Sequence, residues 1–112
     1  MNKEEKLIAD CLTGKRKAQN ELYNRFAPVA YGLCLRYANN PFEAQEMLQE
    51  GFIKVFSSLA SFSSKGSFEG WVKRIVVDLV QQDFNNTYYF NSLYMKHPEY
   101  QYLDMLKKIM EE

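Results

Sequence analysis

"PFEAQEMLQEGFIKVFSSL", residues 41–59, decides the fold class of this chain. Ala44, Leu48, Phe52, Val55, Phe56 and Leu59 recur at three- and four-residue steps, the spacing that places side chains on one side of an α-helix. A half-buried strand would alternate every second residue, and no such alternation occurs here or in the rest of the sequence. The start of the helix is marked as well. Asn40 is an N-cap residue, Pro41 suits the first helical position, and Glu43 stands near the place of a capping-box acid. The opposite side carries Glu46, Gln49, Glu50, Ile53 and Ser57, a compact polar patch with one exposed aliphatic. Acids early in a helix complement its dipole, which accounts for Glu43 and Glu46 but leaves an exposed Ile53 unexplained.

The same periodicity extends in both directions. From Lys17 to about Tyr37, Leu22, Phe26, Val29, Ala30, Leu33, Cys34 and Tyr37 share one side, and Pro28 is expected to kink or locally break the helix. Before it, Leu7, Ile8, Cys11 and Leu12 give a short helix from Lys3 to Leu12 that Gly14 stops. After residue 59, Ser67 caps a fourth helix with Phe68, Val72, Ile75, Val76 and Leu79 inward and Lys73, Arg74, Val77 and Gln81 outward. The expected fold is all-α, a compact bundle of three to four helices with an irregular or helical C-terminal tail. The tail begins near Asn85, where "NNTYYFNSLYMKHPEYQY" is rich in Tyr and Asn and broken by Pro98. Leu103, Leu106, Ile109 and Met110 then resume helical spacing, so the chain divides into a helical domain, 1–86, and a linker with the start of a further helix, 87–112.

Composition narrows the function. Hydrophobic residues at 46% and charged residues at 25% are globular values, and 112 residues suffice for one core. No apolar run reaches the roughly 20 residues of a membrane span, and "MNKEEKLIAD" lacks a signal peptide's apolar stretch, so a cytoplasmic protein is expected. Cys11 and Cys34 fall on apolar helical positions without a CxxC or Cys/His grouping, the setting of buried, reduced thiols. The net charge is zero, although "EAQEMLQE" is acidic and "GKRK" (14–17) and "VKR" (72–74) are basic.

Catalysis finds little support. Glu43, Glu46 and Glu50 could share a face as in all-α metal-dependent hydrolases, but Asp78, Asp83, Glu99 and Asp104 do not supply the second acidic pair such a site needs. The single histidine, His97, lies in the Pro-interrupted tail, and neither a Ser/Cys–His pair nor a phosphate-cradling Gly-rich loop is present. No metal, cofactor or catalytic residue is therefore expected. Binding fits better. Glu46, Gln49, Glu50 and Ile53 suit a helix that meets a basic partner. In "SFSSKGSFEGW" (61–71), Gly66 permits a tight turn while Ser63, Ser64, Lys65 and Ser67 offer hydrogen-bonding groups and a cation beside Phe62, Phe68 and Trp71. A base taken out of a nucleic-acid stack needs such a place. A plain helix connection with these aromatics as core is the alternative, and on composition alone it has the better claim.

Three strings in this order and spacing, "LYNRFAP" (22–28), "EAQEMLQEGFIKVF" (43–56) and "FSSKGSFEGWVKRI" (62–75), resemble region 2 of bacterial RNA polymerase sigma factors of the extracytoplasmic-function group. The likeness runs from about Leu7 to Gln82. It implies a non-enzymatic initiation factor that binds core RNA polymerase and promoter DNA. By the resemblance, the helix with Glu43, Glu46, Gln49, Glu50 and Ile53 docks on the clamp helices of the largest polymerase subunit. Phe62, Ser63, Ser64, Lys65, Gly66, Ser67 and Phe68, with Lys73, Arg74 and Asp78 on the next helix, would take the non-template strand of the minus-ten element with one base extracted, and Trp71 would be mostly a structural floor.

Asp78 stands where the family commonly has Asn, and "FNN" (84–86) where it often has a basic run, departures that bear on base preference and duplex contacts. An anion at Asp78 would face DNA unless Arg74, one turn earlier, neutralises it. The terminal "YLDMLKKIMEE" resembles the first helix of region 4, which marks the chain as a fragment by this likeness. The resemblance also admits an anti-sigma factor as partner. The rival reading is an all-α protein-interaction module with no nucleic-acid role.

Overall fold

Four α-helices and one 3₁₀ turn account for the residues that the computed structural model describes, 2–63 and 65–82. They are α1 (Lys3–Leu12), α2 (Arg16–Tyr37), α3 (Pro41–Ser58), the 3₁₀ turn (Leu59–Ser61) and α4 (Phe68–Gln82). No strand occurs among the described residues. Ser64, the 86/87 boundary and the expected tail helix lie outside them.

Local chemistry sets the boundaries. Asn2 caps α1 by accepting from the Glu5 amide at 2.7 Å, and Asn40 caps α3 by accepting from the Glu43 amide at 2.8 Å. The Ser67 hydroxyl accepts from the Gly70 amide at 3.0 Å at the head of α4. Glu43 does not close a reciprocal box onto Asn40; its Oε1 accepts instead from the Asn39 amide at 3.3 Å, one residue earlier. Gly14, at φ +86°, ends α1 in a Schellman motif, with its own amide donating to the Cys11 carbonyl and that of Lys15 to Asp10, both at 3.1 Å.

The helix α2 runs through Pro28 without a break, so of the two expected outcomes, a kink or a local break, the break does not occur. Proline removes the amide that would bond the Asn24 carbonyl, and both residues lie on the exposed side, where water can satisfy that carbonyl.

α2 touches the other three helices. α3 packs against α2 and α4, which also pack against each other, while α1 covers α2 and reaches the 3₁₀ turn. Flanked twice, α3 buries far more than the stripe of the sequence reading: Met47, Glu50, Gly51 and Ile53 join Ala44, Leu48, Phe52, Val55 and Phe56 inside. At the margins the opposite correction holds. Leu12 is 50% and Tyr37 42% exposed, so neither belongs to the core face on which periodicity had placed it. Burial pushes the Cys11 thiol up to about 12 and the Cys34 thiol to about 11, and both are free thiols.

The closest approach of α3 and α4 depends on a missing side chain. A Cβ on Gly51 would lie 3.0 Å from Val76 Cγ2. Gly51→Val is therefore expected to destabilise the fold by about 1–3 kcal/mol through overpacking, although valine is the better helix former. Urea unfolding of the two chains measures this, and an unchanged or raised midpoint would show that the helices part without cost.

Candidate nucleic-acid and polymerase interfaces

The aromatic residues around the 61–71 loop divide into a floor and a wall. Phe68 is 1% exposed at the first turn of α4, and its ring lies 5.0 Å edge-on from Phe26, 5.1 Å from Phe62 and 5.5 Å, stacked, from Trp71. Offset and edge-to-face contacts at these separations are those that aromatic quadrupoles favour. Phe68 is thus core, which corrects its placement among residues that could touch a ligand. Phe62 and Trp71, 5.3 Å apart, are only partly buried. Trp71 packs against the core and is half-buried.

Above this cluster opens a recess of about 310 Å³, lined by Ser61, Phe62, Ser63, Lys65, Gly66, Ser67, Gly70, Trp71 and Arg74. Each lining group has a local reason for its position. Gly66, at φ +83°, turns the chain in a conformation that side chains disfavour. Ser67 is held by its capping bond and Ser61 by donating to the Ser58 carbonyl at 2.6 Å. Arg74 follows Gly70 by one turn and so points along the same side of α4. The recess combines aromatic surface, hydroxyls and two cations, which suits a flat heteroaromatic group carrying an anion. Ser61, Gly70 and Trp71 were not among the expected ligand-facing residues. Helical spacing from Arg74 could have found Gly70 and Trp71, four and three residues back.

The remaining expected residues lie beside the recess. Lys73 is tied to Glu69 at 3.2 Å and points away from the lining. Asp78 is exposed, and no ion pair joins it to Arg74 among the described residues. The neutralisation considered from sequence is therefore not made.

The acidic side of α3 is smaller than its sequence suggests. Glu46 is exposed and Glu43 and Gln49 half-buried, but Glu50 is 3% and Ile53 6% exposed. The exposed aliphatic expected at Ile53 does not exist, because α3 has neighbours on two sides. The exposed large apolar residue of this helix is Phe42, 74% exposed in its first turn. Among the described residues, no three His, Cys, Asp or Glu side chains are grouped so as to hold a metal ion, and no helix is long and apolar enough to cross a membrane.

Comparison with known proteins bears on both surfaces. The family model "Sigma-70 region 2" matches residues 22–86, which include α3, the recess and α4. The chain is 38% identical over 60 residues to the ECF RNA polymerase sigma factor SigE of Mycolicibacterium smegmatis, covering 54% of this chain and 23% of that protein. It is 33% identical over 72 residues to the ECF RNA polymerase sigma-E factor of Haemophilus influenzae, covering 64% and 38%. To the ECF RNA polymerase sigma factor SigW of Bacillus subtilis it is 28% identical over 99 residues, covering 88% and 48%. The chain thus spans less than half the length of these curated relatives. No solved structure matches it significantly.

Proposed function

The chain belongs to the sigma-70 region 2 family, and from that premise we propose that it acts in the cytoplasm as a transcription initiation domain, binding core RNA polymerase and the non-template strand of the promoter's minus-ten element. The work is binding and strand capture, with no bond made or broken by the protein. We assign residues 1–86 to this domain and 87–112 to the linker and first helix of region 4.

The recess carries the nucleic-acid half of the reading. One extracted base would stack against Trp71 and Phe62, its edge would meet the hydroxyls of Ser63 and Ser67, and Lys65 and Arg74 would take the flanking phosphate. Ser64 belongs to this loop by sequence and joins the proposal on that ground alone. Asp78, one turn past Arg74, would repel a phosphate placed beyond the recess. For the polymerase half, Glu43, Glu46 and Gln49 offer the accessible acidic surface that a basic coiled coil would meet, with Glu50 and Ile53 supporting them from inside. An anti-sigma factor would find the same acidic surface open in the free protein.

The test of the recess is fluorescence anisotropy with single-stranded minus-ten oligonucleotides in which one base at a time is changed. Trp71→Ala should weaken binding of every strand by about 1–3 kcal/mol, the worth of one stacked base, whereas Ser63→Ala, which removes a hydroxyl at the base's edge, should flatten the preference at a single position. Lys65→Ala should weaken all strands alike. Unchanged affinity in the tryptophan variant, or an unaltered base preference in the serine variant, each with its fold intact by circular dichroism, would overturn the base-capture assignment.

A further inference from the structure

A second recess lies at the corner between α1 and α2, and the family reading gives it no role. It measures about 320 Å³ and is lined by Lys3, Lys6, Lys15 and Lys17, with Asp10 and Glu21, over an apolar floor of Leu7 and Ala18. Lys6 and Lys15 share one carboxylate, with Nζ to Asp10 Oδ2 at 3.5 Å and to Oδ1 at 3.3 Å. One anion therefore holds two ammonium groups and neutralises only one. Lys3 and Lys17 make no ion pair among the described residues. The turn is fixed as well, since the Schellman motif at Gly14 pins the backbone of Lys15. Six bases stand against four acids from residue 2 to residue 25 in a chain whose net charge is zero, so the positive excess is concentrated here.

We propose that this corner binds the phosphate backbone of single-stranded nucleic acid, as a second contact for the strand whose base occupies the first recess. This rests on the proposed function. Two features favour that ligand. Held ammonium groups around a small apolar floor suit one or two phosphodiesters rather than the broad face of a duplex. In addition, α1 packs on the 3₁₀ turn whose last residue, Ser61, lines the first recess, so the two sites sit on elements in direct contact. The corner reads no sequence; it adds affinity and salt dependence.

The test uses the whole chain carrying Lys6→Gln, Lys15→Gln and Lys17→Gln together, substitutions at exposed positions that remove three charges, and with them the two ion pairs to Asp10, while leaving polar, flexible side chains. Anisotropy is read across a salt series with three probes: a short oligonucleotide spanning the captured base, a longer minus-ten strand, and a thymidine homopolymer of the longer length. Each lost phosphate contact should lower the slope of log affinity against log salt by about 0.7, hence by about 0.7–1.4 for the one or two phosphodiesters held here, with a loss on the order of tenfold on both long probes at low salt. The short probe should bind as before with its base preference intact, and Lys54→Gln, an exposed lysine of α3, should change none of these values. An unchanged slope on the long probes overturns the proposal. If the parent binds the homopolymer through these lysines yet shows no base preference, the corner stands and the base-capture reading falls. If the parent binds no strand at all, both fall.

Discussion

Phe68→Ala is expected to cost about 3–5 kcal/mol of folding stability, a large part of the roughly 5–15 kcal/mol that holds a domain together. The ring joins α4 to α2 through Phe26 and to the loop through Phe62, and Trp71 stacks upon it. Its removal leaves a cavity among partners that cannot all close over it, because Phe26 and Phe62 are fixed on different elements. The recess should lose its form in the same variant, since both its aromatic walls rest on this ring. Urea unfolding followed by circular dichroism measures the effect. Phe42→Ala, at a position 74% exposed, should stay within about 0.5 kcal/mol of the parent. A comparable cost for both variants would contradict the burial on which the site rests.

Glu46→Lys should weaken binding to core polymerase by roughly 2–4 kcal/mol, on the order of a hundredfold in Kd, with no loss of folding stability. The side chain is exposed on α3, so reversing its charge leaves the core untouched while exchanging attraction for repulsion against a basic surface. Glu50 is unsuited to the same test. At 3% exposure, Glu50→Lys forces a longer cation into the packed side of α3, and lost binding would be mixed with lost structure. Titration of labelled chain against core enzyme, with a melting curve for each variant, separates the two effects. If Glu46→Lys binds core enzyme as tightly as the parent, this face of α3 is not the docking surface.

Glutamate 50 also shows where sequence reading reaches its limit. The helix boundaries were legible because caps are local: Asn40, Ser67 and Gly14 act within four or five residues of chain, and the structure uses each of them. The all-α class was legible because a period of 3.6 persists along each segment whatever it packs against. The ordered strings that resemble sigma region 2 were legible as well, and the family match over 22–86 covers all three of them.

Which faces were covered was decided only in three dimensions. Periodicity assigns one buried stripe per helix, as if each had one neighbour. With α2 and α4 both against α3, Met47, Glu50, Gly51 and Ile53 are enclosed, and the approach at Gly51 is fixed by Val76, a residue 25 positions away. From sequence, Phe68 goes with the ligand-facing loop and Trp71 is mostly a structural floor, since both are aromatic and neighbour the same loop and nothing local says which is covered. Phe26, brought over from α2, helps bury the first, while the second lines the recess. The basic corner is of the same kind: Lys3 and Lys6 are spelled well apart from Lys15 and Lys17, and only the turn at Gly14 brings them to one recess, where Lys6 and Lys15 share the Asp10 carboxylate. Local chemistry thus determined the helices and their ends. Long-range packing decided which charges and rings were left for a partner, because a side chain's exposure depends on what the rest of the chain places against it.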